Sequence, residues 1–287
     1  MNLKYNELTI VVISFKSNEN VKNLLSLIRN STNIIIVENS NDHSLKEYYS
    51  KDSNINFLSK DNIGFGPAIN VAAKLINTKY FFVLNPDLSK INEDIILDFL
   101  KYSKKLKNNF GVLGPRYKNL ENDKSLKQSD KNQNIKHIEC ISGAAMFFLK
   151  KSFDSVGGFD ENIFLYFEEN DICKRLNKKN KKVFQINNIE INHERGNSFI
   201  PDNINEIESM KLNSIWHFSW SKFYFLKKHY TYLCAIIIIF PIILRSTFKI
   251  LIHYLFKNEK DLNKYKYRLS GLINSIVLNK SFKRPEL

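Results

Sequence analysis

The chain has 287 residues, of which 43% are hydrophobic and 25% are charged, as is ordinary for a folded protein. This length allows one sizeable hydrophobic core, or one domain with an appendage. Three widely spaced cysteines, Cys140, Cys173 and Cys234, exclude a disulfide framework and a cysteine-based metal motif, and they favour a reducing, cytosolic compartment. The N-terminus has no apolar stretch typical of a secretion signal.

The formal net charge of +14 is concentrated near the C-terminus. Positions 211–287 contain 14 Lys or Arg residues against 3 Asp or Glu residues, a surplus of 11. Such a segment is predicted to contact an anionic surface, either a membrane or nucleic acid.

The first part of the chain is predicted to alternate strands with helices. Helices are expected to begin at Asn18, which can cap a helix, and near Pro67, which suits a first helical turn. Their apolar faces would contain Val21, Leu24, Leu25 and Ile28 in the first helix, and Ala68, Ala72, Leu75 and Ile76 in the second. Buried strands are predicted from short apolar runs at residues 8–15, 33–37, 55–58 and 80–84. This order indicates an α/β fold with a doubly wound, mostly parallel sheet.

The middle of the chain is less regular. Residues 119–136 are polar and without period, which predicts a surface loop. Further strands are expected within residues 138–149 and 181–186.

The strand at residues 80–84 ends at Asn85-Pro86-Asp87, because Pro86 has no N–H and cannot continue a central ladder. Ligands of open α/β sheets bind just beyond the carboxyl ends of the strands. Asp87 is therefore expected to face solvent there, where its carboxylate would suit a hard, oxygen-seeking cation. By itself, the tripeptide also fits a plain polar turn.

Gly64 and Gly66 precede the second helix. The G-x-G-x-x-G spacing of dinucleotide-binding turns fails, because Ile69 stands where the third glycine would be. The two glycines still predict a tight turn at the start of a helix, where a ligand can approach the backbone closely and an anion is favoured. A tight turn without a ligand is the alternative.

Two later stretches contain further candidate side chains. Glu168, Glu169 and Asp171 lie close together beside aromatic residues, and crowded carboxylates in partly apolar surroundings acquire the raised pKa of a general base. An acidic helix N-terminus stabilised by the helix dipole explains the same pattern. His193 follows a short strand and is either a metal ligand or a surface histidine.

From residue 210 onwards, aromatic side chains are mixed with lysines, and an apolar run follows at 230–244. The run is shorter than the roughly 20 residues that a membrane-spanning helix needs, and Pro241 interrupts it. We therefore expect an interfacial or re-entrant membrane element, with a buried core helix as the alternative. The predicted domains are an α/β domain at residues 1–209 and a helical, membrane-associated tail at residues 210–287.

In their order, these pieces resemble the family-2 inverting glycosyltransferases of the GT-A fold, and their bacterial rhamnosyltransferase-like branch in particular. The resemblance extends from about Leu8 to Tyr230. Its matching stretches are VVISF, VENS, NIGFGPAIN, FFVLNPD, GPR, SGAAMFF, GGFDENIFLYFEENDICKRL and HERGNS. It implies a Rossmann-like, mostly parallel sheet with helices on both faces, followed by a membrane-associated helical segment.

The resemblance also implies roles for individual residues. Asn85-Pro86-Asp87 stands for the D-x-D motif of the family, with Asp87 and His193 as ligands of a divalent cation, Mn²⁺ or Mg²⁺. The residues implied to bind the nucleotide sugar are Ser14, Glu38, Asn62, Gly64, Asn70 and Asn85. Glu38 departs from the more usual Asp, which leaves the choice of nucleotide open.

Glu169 occupies the place of the catalytic base. It also departs from the usual Asp, and its longer reach leaves Glu168 as a rival. Asp171 and Arg175 would support the acidic helix and the acceptor or phosphate region.

The implied reaction moves a sugar, for example L-rhamnose from dTDP-rhamnose, from a nucleotide-sugar donor to a hydroxyl of a lipid-linked glycan acceptor. The implied setting is bacterial cell-surface polysaccharide synthesis, with the enzyme peripheral or monotopic on the cytoplasmic face of the inner membrane.

Two other classes stay open. One is a metal-dependent nucleotidyltransferase, although residues 14–18 offer only one lysine for a phosphate loop. The other is a catalytically degenerate, membrane-bound protein that binds sugar nucleotides, which Asn85 and Glu169 leave open. Nucleic-acid binding is disfavoured, because the positive charges are interleaved with an apolar segment.

Overall fold

The structure is a computed structural model that describes residues 5–28, 32–123, 128, 133–196 and 204–284. Its contacts divide the chain into two compact units. The described residues within 1–160 and 169–200 form what we call the α/β unit, and those within 161–168 and 201–287 form the helical unit.

The α/β unit contains strands and helices in alternation. The strands are β1 (Leu8–Ser14), β2 (Asn33–Glu38), β3 (Ile55–Ser59), β4 (Tyr80–Leu84), β5 (Leu88–Ser89), β6 (Val112–Tyr117), β7 (Ile135–His137), β8 (Ala145–Leu149) and β9 (Val183–His193). The helices are α1 (Asn18–Ile28), α2 (Ser44–Tyr48), α3 (Phe65–Ala73), α4 (Glu93–Lys105), α5 (Lys150–Ser155) and α6 (Glu168–Lys178). The first residue of α6, Glu168, belongs to the helical unit.

The sheet has the strand order β3-β2-β1-β4-β8-β6-β9-β5, with β7 paired to β9. The strands β3, β2, β1 and β4 are parallel neighbours, as the sequence predicts. Strand β8 runs antiparallel to both β4 and β6, whereas β6 and β9 are parallel. The predicted α/β fold with a central, mostly parallel sheet is therefore confirmed, and its antiparallel pairs lie outside the run from β3 to β4.

Successive side chains of β1 and β4 point alternately into two apolar clusters, which shows that both faces of the sheet are covered. Leu8, Ile10 and Val12 point into one apolar cluster, and Val11 and Ile13 point into a second one. The first cluster contains the apolar faces of α1 and α4, and the second contains those of α3, α5 and α6. Continuous apolar runs, rather than alternating ones, are what burial on two faces requires.

The predicted face of α1 is buried as expected, but the predicted face of the second helix is partly wrong. Ala68, Ala72 and Ile76 are buried, whereas Leu75 is 53% exposed. The reason is that α3 ends at Ala73, so Leu75 no longer follows the helical repeat.

A bulge in β9 is the irregularity with the largest consequence for the sheet. The register against β6 shifts between Pro115, which pairs with Ile186, and Arg116, which pairs with Glu190. Extra residues in one strand bend it and increase its twist. Beyond the bulge, β9 pairs with β5 as well, with His193 opposite Leu88. The strand predicted at residues 181–186 is thus longer than expected and ends at His193.

The helical unit contains α7 (Ile204–His229), α8 (Tyr232–Leu255) and α9 (Glu259–Ile276). The predicted domain boundary after residue 209 lies inside α7. Trp216 is fully buried, and its Nε1 donates to Ser270 Oγ at 3.1 Å. A Cβ on Gly271 would lie 2.4 Å from the Trp216 carbonyl oxygen, so the α7 and α9 backbones touch there.

Helix α8 corrects the expectation for the apolar run. It is one continuous helix of 24 residues with Pro241 inside it, so the predicted interruption at Pro241 is wrong. Thr231 caps it by accepting a hydrogen bond from the Cys234 N–H at 3.1 Å. Because the helix continues past the apolar run to Leu255, its length is greater than the sequence pattern indicates.

One side of α8 packs within the unit, and the opposite side is exposed. Ala235 and Ile239 are fully buried and pack with Phe223 and Leu272. The exposed side is a stripe of residues three or four apart, which we call the apolar stripe: Leu233, Ile237, Phe240, Leu244, Phe248, Leu251 and Leu255. This spacing keeps the seven side chains on one face of the helix.

Two adjacent glycines, Gly157 and Gly158, lie in the loop that follows α5 and packs against Asn70 of α3. Gly157 and Gly158 both have left-handed backbone, with φ of +77° and +71°, so alanine costs about 1–2 kcal/mol at either position. A Cβ at Gly158 would also lie 2.6 Å from Asn70 Oδ1, whereas one at Gly157 would meet nothing within 4 Å. We therefore expect Gly158→Ala to lower the free energy of unfolding more than Gly157→Ala, by about 1 kcal/mol or more.

Urea unfolding of the two variants and the parent protein measures this difference. Equal losses in the two variants would show that Asn70 moves aside, and that it does not hold this loop against α3.

Candidate active site

Three of the predicted nucleotide-binding residues, Ser14, Glu38 and Asn85, lie at the carboxyl edge of the parallel strands. Ser14 ends β1 and is paired in register with Glu38, the last residue of β2. Glu38 in turn is paired with Ser59, the last residue of β3. Asn85 follows β4, is half-buried, and donates its backbone N–H to the Ala144 carbonyl at 2.8 Å. The structure thus places these side chains where open α/β sheets bind ligands.

Asp87 and His193 face each other at this edge. The distance between Asp87 Oδ1 and His193 Nε2 is 3.3 Å. The expectation that Asp87 faces solvent is wrong, since its residue is only 6% exposed. The cause is β9, whose end pairs with β5 and covers the turn that follows β4.

Backbone contacts hold the Asp87–His193 pair in place. The Glu194 N–H donates to the Asp87 carbonyl at 3.0 Å. The Asn119 side chain donates to the His193 carbonyl at 3.0 Å and accepts from the His193 N–H at 3.1 Å. The ring of the buried Tyr117 lies 5.8 Å from the His193 ring, and burial raises the pKa of the Tyr117 hydroxyl. The Asp87–His193 pair is thus positioned by groups that do not titrate near neutral pH.

This pair fits a divalent cation with few protein ligands. Asp87 Oδ1 and His193 Nδ1 are buried and make no hydrogen bond to any described residue. Within the described ranges, no group of three or more His, Cys, Asp or Glu side chains is arranged to hold a metal. Mg²⁺ and similar ions are commonly held by one or two protein ligands plus phosphate oxygens and water. One carboxylate and one imidazole therefore suit an ion that is shared with a diphosphate.

Glu38 is engaged with its own loop. Its side chain is fully buried, and its carboxylate accepts hydrogen bonds from the Ser40 and Asp42 N–H groups, each at 2.9 Å. Glu38 therefore fixes the loop that follows β2, and its predicted contact with the nucleotide stays a prediction.

Asn62 and Gly64 are connected to β2 by Asn39, a residue that the sequence reasoning did not select. The Asn39 side chain donates to Asn62 Oδ1 at 3.3 Å and to the Gly64 carbonyl at 3.2 Å, and it accepts from the Ile63 N–H at 3.1 Å. Gly64 has φ of +95° at the start of α3, a conformation that favours glycine.

Asn70 forms a two-way contact with the backbone of Phe159. Its side chain donates to the Phe159 carbonyl at 2.9 Å and accepts from the Phe159 N–H at 2.8 Å. The contacts of Asn70 favour a role in holding the loop, and nucleotide binding by Asn70 stays a prediction.

The acidic stretch lies at the start of α6, with Glu168 and Glu169 as its first two residues. Glu168 is buried, whereas Glu169 is half-buried, and burial raises the pKa of the Glu169 carboxyl. A Cβ on Gly143 would lie 3.9 Å from Glu169 Cβ, so the small residue leaves room beside this side chain. These properties suit a carboxylate that exchanges a proton with a ligand.

Asp171, which is fully buried, and the half-buried Arg175 form an ion pair on α6. Asp171 Oδ2 lies 2.7 Å from Arg175 Nη2 and 2.8 Å from Arg175 Nε. Arg175 Nη1 also donates to the Val156 carbonyl at 2.7 Å. The predicted catalytic role of Asp171 and the predicted binding role of Arg175 stay predictions, and the ion pair favours a supporting role for both.

Tyr117, Asn119 and Asn39 are site residues that sequence reasoning missed. Asn39 stands in VENS and Tyr117 follows GPR, so both were within or beside stretches already singled out. Asn119 gives no local signal, because its contact with His193 joins residues that are 74 positions apart.

The chain is similar to two proteins whose activity is stated in their names. It is 26% identical over 208 residues to the low-salt glycan biosynthesis hexosyltransferase Agl10 of Haloferax volcanii, covering 65% of this chain and 67% of that protein. It is 23% identical over 202 residues to the rhamnosyltransferase WbbL of Escherichia coli K12, covering 58% of this chain and 75% of that protein. None of the protein-family models compared with the chain matches it.

A solved structure shows the same fold. The mannosyltransferase PcManGT from Pyrobaculum calidifontis, in complex with GDP-Man and Mn²⁺, superposes with a TM-score of 0.59 at 8% sequence identity. The superposition covers 94% of this chain and 87% of PcManGT. The GT-A fold predicted from the sequence is therefore confirmed.

Proposed function

We propose that this chain, a glycosyltransferase of the GT-A, family-2-like type, transfers a sugar from a nucleoside-diphosphate sugar to a lipid-linked glycan. The observation that carries the proposal is the Asp87–His193 pair at the carboxyl edge of the sheet, with its Oδ1–Nε2 distance of 3.3 Å. The names of Agl10 and WbbL, which are a glycan-biosynthesis hexosyltransferase and a rhamnosyltransferase, support a hexose or deoxyhexose as the sugar. L-rhamnose from dTDP-rhamnose is one donor to test.

Asp87 and His193 would hold Mn²⁺ or Mg²⁺ together with the diphosphate of the donor. When bound, the cation neutralises the negative charge that develops on the leaving diphosphate. PcManGT, which shares the fold, has been solved with GDP-Man and Mn²⁺. Ser14, Glu38, Asn62, Gly64 and Asn85 would line the nucleotide side of the site, with Glu38 acting through the loop that it fixes.

Glu169 would act as the general base. It would take the proton of the acceptor hydroxyl as that oxygen attacks the anomeric carbon, which inverts the configuration when the nucleoside diphosphate leaves. Its partly desolvated carboxyl has a raised pKa, and a base whose pKa lies nearer to neutral is more effective at physiological pH. Glu168 is only 5% exposed, and it is therefore less accessible to an acceptor than the half-buried Glu169.

The helical unit would hold the enzyme at a membrane surface. Among the described residues, α8 has the length and the mean hydropathy, 2.2, of a membrane-crossing helix, and only 17% of its most apolar window is buried. The apolar stripe, however, occupies one side of α8, and the other side packs on α7 and α9. A one-sided apolar face with basic residues such as Arg245 and Lys249 favours a monotopic helix that lies in the interface.

Release of nucleoside diphosphate from a panel of UDP-, GDP- and dTDP-sugars tests the proposed function. We expect one donor class to be cleaved in the presence of Mn²⁺ or Mg²⁺, and the rate to rise when lipid-linked glycan from bacterial membranes is added. NMR of the product should show inversion at the anomeric carbon. No cleavage of any donor, with the thermal midpoint unchanged by all of them, would contradict a sugar-transfer function.

Glu169→Gln should reduce transfer by roughly 10²-fold or more, the usual contribution of a general base. Donor affinity should be retained, because the diphosphate is held by other residues. Glu168→Gln is the matched control and should be milder. Glu169→Asp restores the commoner family residue with a shorter reach and should keep partial activity.

The pH dependence of transfer gives a second test of Glu169. A raised pKa means that the carboxyl stays protonated to higher pH, so activity should fall as pH is lowered through a value above about 4.3, the ordinary pKa of Glu. This acid limb should be absent in the residual activity of Glu169→Gln. An inactive Glu168→Gln beside an active Glu169→Gln would assign the base to Glu168.

Lipid flotation tests the membrane assignment. The full chain should float with anionic vesicles at low salt and partly dissociate at high salt, because each basic residue near an anionic surface contributes about 1 kcal/mol. Leu244→Asp with Phe248→Asp, which places two carboxylates on the apolar stripe, should abolish flotation. Ser50→Asp with Ser53→Asp is the matched control, since it adds the same charge at exposed positions of the α/β unit. If both double variants float equally well, the apolar stripe is not the membrane contact.

A further inference from the structure

The segment at residues 161–168 belongs to the helical unit, although it lies in the chain between two parts of the α/β unit. It ends at Glu168, one residue before the proposed base Glu169. Its contacts within the helical unit are made with α7 and with residues near the C-terminus. Sequence reasoning assigned the acidic stretch to the α/β domain and the aromatic residues of α7 to the membrane.

Four side chains on one face of α7 contact this segment in succession. The His217 ring lies 4.6 Å from the Phe164 ring, and Ser221 Oγ donates to the Leu165 carbonyl at 2.9 Å. The Phe218 ring lies 5.7 Å from Tyr166 and 5.3 Å from Phe167, and the Phe225 ring lies 5.5 Å from Phe167. The positions 217, 218, 221 and 225 are spaced as one face of a helix, so α7 supports every residue from Phe164 to Phe167.

The supported segment has a strained backbone. Tyr166 and Phe167 have φ of 67° and 69°, which is the left-handed region that side chains other than glycine rarely adopt. Two consecutive aromatic residues in this region persist only where the surroundings hold them. The aromatic contacts with Phe218 and Phe225, together with the Ser221 hydrogen bond, are among the surroundings that do so.

His217 is itself fixed and uncharged. Its Nε2 lies 2.9 Å from the Lys283 carbonyl, to which it can only donate, and its Nδ1 lies 3.1 Å from Ser281 Oγ. Burial lowers the pKa of His217 to about 4, so the ring stays neutral against Phe164 near neutral pH. Arg284 also contacts Phe164, with its Cζ 4.0 Å from the centre of the Phe164 ring.

We propose that α7 is a support for the catalytic segment, and that Ser221 and Phe218 are positioning residues for Glu169. By holding the left-handed turn at Tyr166 and Phe167, they set the direction in which the chain enters α6 at Glu168 and Glu169. The helical unit is then required for transfer itself, in addition to any contact with a membrane. This inference rests on the proposed function, in which Glu169 is the base.

Ser221→Ala tests the proposal with little change in volume. Using the donor that the panel identifies and the full chain, we expect kcat for release of nucleoside diphosphate to fall by about tenfold, the factor of one net hydrogen bond. The KM for the donor should stay within about twofold, because the donor is held elsewhere. Adding Phe218→Ala should lower kcat further.

Ser219→Ala is the matched control. Ser219 is also buried on α7, but its hydroxyl donates within the helix, to the Ile215 carbonyl at 2.7 Å. Its kcat should equal that of the parent protein. Thermal unfolding of both variants separates a positioning effect from a general loss of stability, since a similar midpoint with a different kcat points to positioning.

The outcomes separate this inference from the proposed function. If Glu169→Gln is inactive while Ser221→Ala matches the parent protein, α7 does not position the base and this inference is wrong. If Ser221→Ala and Ser219→Ala lose kcat equally, or if the donor KM rises in step with the loss, the effect is structural and the inference is again overturned. If Glu169→Gln itself is fully active, the proposed base is wrong.

Discussion

The pairing of β9 with β5 is the interaction on which the candidate active site depends. Strand β4 delivers Asp87 to the carboxyl edge of the sheet, but the side chain that faces it, His193, comes from a distant part of the chain. The bulge in β9 bends that strand after Ile186, and the bent part reaches β5 with His193 opposite Leu88. Without this pairing, Asp87 would be an exposed turn residue, and His193 would have no carboxylate to face.

Glycines and asparagines fix the loops around this edge. Asn39 holds the turn at Asn62 and Gly64, and Asn119 holds the backbone of His193. Amide side chains suit this task, because one group both donates and accepts and its charge does not change with pH. The site therefore combines neutral positioning groups with the Asp87 carboxylate, whose Oδ1 makes no hydrogen bond to any described residue.

The parallel half of the sheet could be predicted from the sequence, because its signals are local. Apolar runs such as 80–84, ended by Pro86, identify strands that are buried on both faces, and they also place Asp87 at a strand end. The burial of Asp87 could not be predicted in this way, since it results from the end of β9, more than 100 residues away in the chain. The same reason applies to the segment at 161–168, whose partners on α7 are about 50 residues away.

For helix α8, by contrast, a local sequence signal is misleading. Its sequence is apolar with basic flanks, as a membrane-associated helix requires, but the helix continues through Pro241. Proline removes one hydrogen bond and strains one turn, and the surrounding contacts in the helical unit tolerate this cost. The exposed and buried sides of α8 follow from packing against α7 and α9, which sequence periodicity alone does not assign.

Pulsed electron paramagnetic resonance of Mn²⁺ bound to the protein with a nucleoside diphosphate tests the central claim most directly. The Asp87–His193 geometry predicts coupling of the manganese electron spin to the nitrogen of one imidazole and to phosphorus. The nitrogen coupling should disappear in His193→Gln, while the phosphorus coupling remains. A spectrum without any nitrogen coupling, or one that is unchanged in His193→Gln, would contradict a metal site at this edge of the sheet.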